Sequence, residues 1–131
     1  PARTGLVLVA LPEEMPISET LDLWSRLGAG REQVQMCVLN QVHDRPLTEA
    51  QWLAAQPILR GVPSGAIAES TELLAQWMQR VSRQDEARTR LHAGLPVPIG
   101  ELPALPHRVT SPAQLEHLST ALFGAAAGGA P

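Results

Sequence analysis

The chain has 131 residues, of which 44% are hydrophobic and 18% are charged, and its formal net charge is -3. This length fits a single domain, and the composition is neither that of a disordered chain nor that of a membrane-spanning one. All ten basic residues are arginines. Because a phosphate-binding P-loop and Schiff-base chemistry both need a lysine, the chain supplies neither. The negative charge and an aromatic content of 3% exclude nucleic acid as a favoured partner.

A strand, a helix and a second strand are predicted in the first third of the chain. Gly5 to Leu11 is a continuous apolar run, typical of a strand buried on both faces of a parallel sheet. Pro16 to Leu27 has helical spacing and Gly28 ends it. The second strand is Val34 to Leu39, in which we expect Cys37 to be a small buried residue and not a nucleophile. A lone cysteine and the lack of a signal-peptide pattern favour the cytoplasm.

Two helices follow the second strand. Thr48 and Gln51 have the spacing of a capping box, which predicts a helix that ends at Gly61. A longer helix extends from about Ser64 to His92, where good helix formers dominate. Its apolar stripe consists of Leu73, Leu74, Trp77, Met78 and Val81. The charged second half of this helix is interpreted as a solvated face.

The last third contains a strand and a helix. Leu95 to Leu102 is interrupted by prolines, which favours a strand at the edge of the sheet. Ser111 followed by proline begins a helix that continues to Phe123. We assign residues 1–123 to one domain segment and residues 124–131 to a disordered tail of small residues.

The order β-α-β-α-α-β-α predicts an α/β fold with a short, mainly parallel sheet flanked by helices. Nucleotide-binding sheets of the doubly wound type usually have five strands or more. The three strands found here therefore suggest one part of a larger fold, with an exposed sheet edge where the remainder would pair.

Ligands bind beyond the carboxyl ends of parallel strands, which nominates the loops Pro12–Met15, Asn40–Val42 and Gly100–Pro103. The carboxamide of Asn40 has the donor and acceptor groups that match adenine N6 and N7. The alternative is an asparagine that only turns the backbone after a strand, which is the commoner use of the residue.

Metal and catalytic sites find little support in the sequence. Glu13, Glu14 and Glu101 could serve as carboxylate ligands, but exposed loop acids are far commoner than ligands. The histidines are too dispersed for a zinc motif; they are His43, His92, His107 and His117. No strand ends in the Asp of a Walker-B element, and no G-x-S-x-G elbow is present. We therefore predict no metal site and no catalytic residue in this chain.

A family resemblance rests on four segments that follow one another in order. They are GLVLVALPEEMPISETLDLWSRL from Gly5, VLNQV from Val38, PVPIGEL from Pro96, and the helix from Leu115 to Phe123. Together they resemble the C-terminal half of the arsenite-pump-driving ATPases and of their relatives, the guided-entry ATPases that deliver tail-anchored membrane proteins. The resemblance implies a partial, three-layer P-loop ATPase-like fold, which works as a dimer or as paired halves with ATP and Mg²⁺ at the interface.

The resemblance also implies a nucleotide site by position. Asn40 matches the asparagine that recognises adenine, and Pro96 to Leu102 matches the loop that packs against the adenine ring. The residues implied to contact the cofactor are Asn40, Pro96, Val97, Pro98, Ile99, Gly100 and Glu101. The family continues its loop with Val-Arg-Gly where this chain has Leu102-Pro103-Ala104, and the cysteine pair of the guided-entry members is missing.

Two hypotheses from different classes follow. In the first, the chain is the adenine-recognising C-terminal portion of an anion-transporting ATPase, and phosphate chemistry resides on an N-terminal part. That part, a second subunit or a second copy would be its partner, and the chain alone would neither hydrolyse ATP nor bind it tightly. In the second, the chain is an interaction module without catalysis, whose partner surface is the long helix from Ser64 to His92. Cys37 alone cannot form the multi-thiol site that arsenite needs, so the cargo stays open.

Overall fold

The computed structural model describes residues 4–61, 65–106 and 108–127, and the side chains of these residues as far as Gly124. The predicted order of strands and helices is confirmed, with an added 3₁₀ helix at Gly28–Gln33. The strands are β1 (Leu6–Ala10), β2 (Val34–Val42) and β3 (Ile99–Pro103), and the helices are α1 (Glu14–Arg26), α2 (Glu49–Arg60), α3 (Ala66–Gly94) and α4 (Pro112–Ala127).

The three strands form a parallel sheet in the order β1-β2-β3, so β2 is central. Val9 is paired with Val38, and Val38 is paired with Gly100 on its other side. The proline-containing β3 lies at an edge of this sheet, as predicted; proline has no N–H to donate to a ladder, so it is tolerated best in an edge strand. The chain therefore has an α/β fold with helices flanking a small parallel sheet.

The two faces of the sheet are covered unequally. On one face Leu8 and Ala10 are buried in the core, whereas Val7 and Val9 on the other face are 53% and 64% exposed. Helices α1 and α3 cover the first face, while α4 packs on the second face mainly at β3. The prediction that the first strand is buried on both faces is therefore wrong, since no described helix lies over that side of β1.

The core-facing part of α3 is its second half. Its buried residues recur at intervals of three or four and are Met78, Val81, Gln84, Ala87 and Leu91. Leu73, a member of the apolar stripe, is 66% exposed. The predicted solvated face is confirmed for Arg83 and Arg90 but is wrong for Gln84, which is buried. The second half of α3 crosses the sheet, and one face of the helix contacts it. Residues on that face, which recurs every 3.6 residues, are buried whether they are polar or apolar.

Helix starts and the core cysteine agree with the sequence prediction. Thr48 and Gln51 form the capping box of α2 in both directions, and Ser111 accepts a hydrogen bond from the backbone of Gln114 in the first turn of α4. Cys37 is fully buried. Helix α4 continues to Ala127, so the remaining part of the predicted tail, residues 128–131, lies outside the described residues, as does Ser64.

Candidate functional site

Strand β2 contains a bulge at its carboxyl end. Leu39 is paired with Glu101 and Val42 with Pro103, so β2 advances three residues where β3 advances two. The extra residue lies in the segment Asn40–Gln41, and it allows Leu39 and Val42 to pack on the same core. The sequence predicted that the strand ends at Leu39, whereas the bulge lets it continue for three more residues.

Gln41 has a left-handed backbone conformation, with φ of 61°. Such a conformation costs a residue with a Cβ atom about 1–2 kcal/mol. The Oδ1 atom of the preceding Asn40 accepts a hydrogen bond of 3.0 Å from the Gln41 N–H. Asn40 is half-buried, and its amide nitrogen donates to no acceptor within the described part of the chain. Two N–H donors and one lone pair of this side chain therefore remain for a ligand.

The segment that follows the bulge is attached to α3. The Gln84 side chain makes two hydrogen bonds to the backbone of His43: Oε1 accepts from the His43 N–H at 2.8 Å, and Nε2 donates to the His43 carbonyl at 2.9 Å. Trp77 donates from Nε1 to the Asp44 carbonyl at 3.1 Å, and its ring meets the His43 imidazole edge to face. These contacts join the end of β2 to the middle of α3.

A chain of ion pairs extends this attachment to β3. Arg45 binds Asp85 at 2.6 Å, and Asp85 also accepts from Arg88 at 2.7 Å. The same Arg88 guanidinium holds the Glu101 carboxylate through Nε at 2.6 Å and Nη2 at 3.0 Å. All four side chains are 28% to 39% exposed. Both Glu101 oxygens are thus engaged, which makes an ion-pairing role the direct explanation of this residue.

The predicted cofactor residues fall into two groups in space. Ile99, Gly100 and Glu101 are paired with residues 37–39 of β2. Glu101 is therefore opposite Leu39, the residue that precedes Asn40. The carbonyl of Pro98 accepts from the Cys37 N–H at 2.9 Å. Since strands rise 3.3 Å per residue, Pro98 precedes Asn40 by roughly 10 Å along the sheet. The structure therefore does not bring Pro98 to Asn40, and Pro96 and Val97 lie in the loop that leads into β3.

A different segment lies at the carboxyl end beside Asn40. Ala104 donates its N–H to the Val42 carbonyl at 2.8 Å, so the residues that follow β3 run alongside the bulge. The sequence contained a signal for these residues, because ligand sites follow the ends of parallel strands. The predicted strand ended at Leu102, however, whereas β3 ends at Pro103. The Gln41 conformation had no such signal, because glutamine is not a residue that favours positive φ.

A cleft of about 1200 Å³ opens at the carboxyl ends of β1 and β2, between the start of α1 and α3. The loop nominated first, Pro12–Met15, lines it together with Gln41, while Asn40 does not. Its charged lining residues are Glu13, Glu14, Arg80, Arg83, Glu86 and Arg90. These side chains are three acidic and three basic residues, so together they give the cleft no net charge.

The titratable side chains give little indication of reactive chemistry or of metal binding at this site. Burial raises the pKa of the Cys37 thiol, which lowers its reactivity. The described residues contain no group of three or more His, Cys, Asp or Glu side chains that could hold a metal ion, and His107 lies outside them. Among the same residues, no helix has the length and the apolar character needed to cross a membrane.

Fold and site together define an α/β protein with a three-stranded parallel sheet and a bulged central strand that carries Asn40. No protein-family model matches the chain, and no curated protein matches it.

Proposed function

We propose that this chain is the adenine-recognising portion of an anion-transporting, arsenite-pump-like ATPase, with phosphate chemistry carried by another part of the protein or by a second subunit. The observation that supports the proposal is the position of Asn40. It lies on the bulge at the carboxyl end of the central parallel strand, with its amide nitrogen available to a ligand. Parallel sheets bind nucleotides at this end.

The residues fit the two ends of ATP differently. The carboxamide of Asn40 matches the edge of adenine, and the segment Pro103–Leu105, half-buried beside it, offers an apolar surface for the base. The triphosphate needs a lysine and a glycine-rich loop, and the 131 residues contain no lysine. Since phosphate contacts supply most of the affinity for a nucleotide at such sites, this chain alone would bind adenine nucleotides weakly.

The uncovered side of the sheet supports a partner. Val7 and Val9 expose adjacent apolar side chains on the free face of β1. A buried Val contributes about 1.5 kcal/mol or more when it leaves water, so a covering element from the rest of an ATPase would gain stability there. A second subunit or a second copy of the chain would gain in the same way.

The test is equilibrium binding of adenosine and ATP, followed by changes in intrinsic tryptophan fluorescence and by NMR titration. We expect binding that is weak, similar for adenosine and ATP, absent for guanosine, and lost in Asn40→Ala. Gln35→Ala is the matched control, because it removes an exposed carboxamide from the same strand. Guanosine binding equal to adenosine binding, or ATP hydrolysis by the chain that persists through contaminant controls, would overturn the proposal.

A second candidate is a non-catalytic interaction module. It is favoured by exposed apolar residues on α2 and on the first half of α3, namely Leu53, Ile58, Ile67 and Leu73. This candidate predicts that Leu73→Glu abolishes binding to a protein partner and leaves Asn40 without any role. Adenosine binding that depends on Asn40 would decide against it as the complete explanation.

A further inference from the structure

The bulge at Asn40–Gln41 needs a restraint, because Gln41 has a backbone conformation that its side chain disfavours. Its φ of 61° persists only if the chain is held on both sides of it. Before the bulge, Leu39 is held by pairing with Glu101 in β3. After it, Val42 is held by the Ala104 N–H, and His43 is held by Gln84.

Gln84 is suited to this restraint by its chemistry. It is 2% exposed, the other buried residues of α3 are all apolar, and both polar atoms of its side chain are used on one residue, His43. A carboxamide, like a protonated carboxyl group, holds an acceptor and a donor side by side, so that it can accept from a backbone N–H and donate to the carbonyl of the same residue. An apolar side chain would pack there without the two hydrogen bonds, so the amide has a role beyond filling the core.

We infer that Gln84 is the positioning residue for Asn40: by fixing His43 it maintains the left-handed turn at Gln41, and this turn directs the Asn40 carboxamide. The inference rests on the proposed function for the identity of the ligand, adenine. The claim that Gln84 maintains the turn at Gln41 does not depend on that function. Without the restraint, Gln41 relaxes to the conformations that a residue with a Cβ prefers. The population with the correct Asn40 orientation then falls by roughly 5- to 30-fold, and the affinity for adenosine falls by the same factor.

The test is the Gln84→Glu variant, measured in the full chain at about pH 7.5 and again near pH 5. The ionised carboxylate still accepts from the His43 N–H but faces the His43 carbonyl without a proton to donate. Protonation restores the donor, and burial raises the pH at which this happens. Gln76→Glu, the same change on the exposed side of α3, is the control. Other titratable and charged groups lie near Gln84 and titrate alike in every variant, so the affinity and the Gln41 signature are compared with those of wild type at the same pH. These groups are His43, Asp44, Arg45, Asp85, Glu13, Glu14 and Arg80.

Two readouts are needed. The first is the affinity for adenosine. The second is the φ of Gln41, obtained from its backbone chemical shifts and from its coupling between the amide proton and Hα. We expect Gln84→Glu to lose the left-handed signature and affinity at pH 7.5 and to regain both near pH 5, while Gln76→Glu changes neither. A general loss of stability would also be relieved by protonation, but it would alter resonances throughout the chain, whereas loss of the restraint changes those of the bulge alone.

The outcomes separate the two proposals. If the wild type binds no adenosine, the proposed function fails, and the Gln41 signature still decides whether Gln84 holds the bulge. If Gln84→Glu keeps the left-handed signature, or binds adenosine as wild type does at pH 7.5, the inference is overturned. Should this variant be unfolded at pH 7.5, Gln84→Met keeps the volume without the hydrogen bonds and is judged by the same two readouts.

Discussion

Arg88 on α3 holds both carboxylate oxygens of Glu101 on β3, with Nε 2.6 Å from Oε1 and Nη2 3.0 Å from Oε2. The pairing links residues 13 positions apart across the edge of the sheet. Two parallel hydrogen bonds between a guanidinium and a carboxylate restrict the orientation of both groups more than one contact does. Arg88 therefore adds a restraint between the end of β3 and helix α3, besides the pairing of β3 with β2.

A double-mutant cycle measures this pair. Arg88→Met, Glu101→Gln and the double variant are expected to give a coupling free energy of about 1 kcal/mol, reduced by salt because both side chains are partly exposed. The control is the Arg26–Asp22 pair on α1, which has the same 2.6 Å separation but side chains 75% and 53% exposed. Its coupling should not exceed about 0.5 kcal/mol. Equal couplings for the two pairs in urea unfolding would contradict the prediction.

The free energy of unfolding at alkaline pH should depend on the ionisation of one thiol, that of Cys37. The chain has no lysine and no tyrosine, so Cys37 is the only side chain whose ordinary pKa lies between about 8 and 12. Burial raises the pKa of Cys37 in the folded state. Above about pH 8.5 the unfolded chain releases this proton while the folded chain retains it. The free energy of unfolding should therefore fall by up to about 1.4 kcal/mol per pH unit until the folded pKa is reached.

Urea denaturation between pH 7 and pH 11 checks this, with Cys37→Ala as the control. The variant should be less stable at neutral pH, but its stability should not show the alkaline decline. Thiol modification under native conditions should also be slow and should accelerate in urea. A decline of the same slope in Cys37→Ala would assign it to another group.

Gly100 leaves room for α4 on the sheet. A Cβ atom at Gly100 would lie 2.6 Å from Leu122 Cδ1 and 3.0 Å from Met36 Cε. Both atoms end flexible side chains, so Gly100→Ala should cost about 1 kcal/mol and the branched Gly100→Val up to about 3 kcal/mol. Gly124→Ala is the control, because its Cβ would meet only Thr120 Cγ2 at 3.7 Å. It should raise stability by up to about 1 kcal/mol, since alanine favours the helix. Thermal unfolding of the three variants would show a reversed order if α4 does not pack at Gly100.

The capping box of α2 has a measurable contribution. Thr48→Ala removes the hydroxyl that accepts from the Gln51 N–H at 3.2 Å and should cost about 1 kcal/mol. Because α2 makes few contacts with the rest of the chain, we expect the loss as faster hydrogen exchange in α2 more than as a shift of global unfolding. Thr89→Ala is the matched control, since Thr89 is exposed in the interior of α3, where alanine is the better helix former. Unchanged exchange in α2 of the Thr48 variant would refute this role.

Local sequence patterns predicted much of the fold. The capping pairs at Thr48 and Ser111 and the apolar run around Cys37 identified elements correctly, because each signal is made by residues close together in the chain. The same reasoning was wrong for Val7 and Val9. An apolar run does not tell whether a helix exists to cover its second face, and only the packing of α1, α3 and α4 decides that.

The amino-acid composition by itself determined that these residues hold no lysine for phosphate binding. The predicted strand that ends at Leu39 led to the hypothesis that a ligand would lie at the residues after it, Asn40 among them. Only the tertiary structure decided what surrounds Asn40. Pairing with β3 created the bulge, Gln84 from 41 residues further along the chain reached His43, and the start of β3 placed Pro98 beside Cys37 and away from Asn40. These contacts join residues far apart in sequence, so they form only in the complete fold. Residues that are neighbours in the chain therefore show no pattern that would predict them.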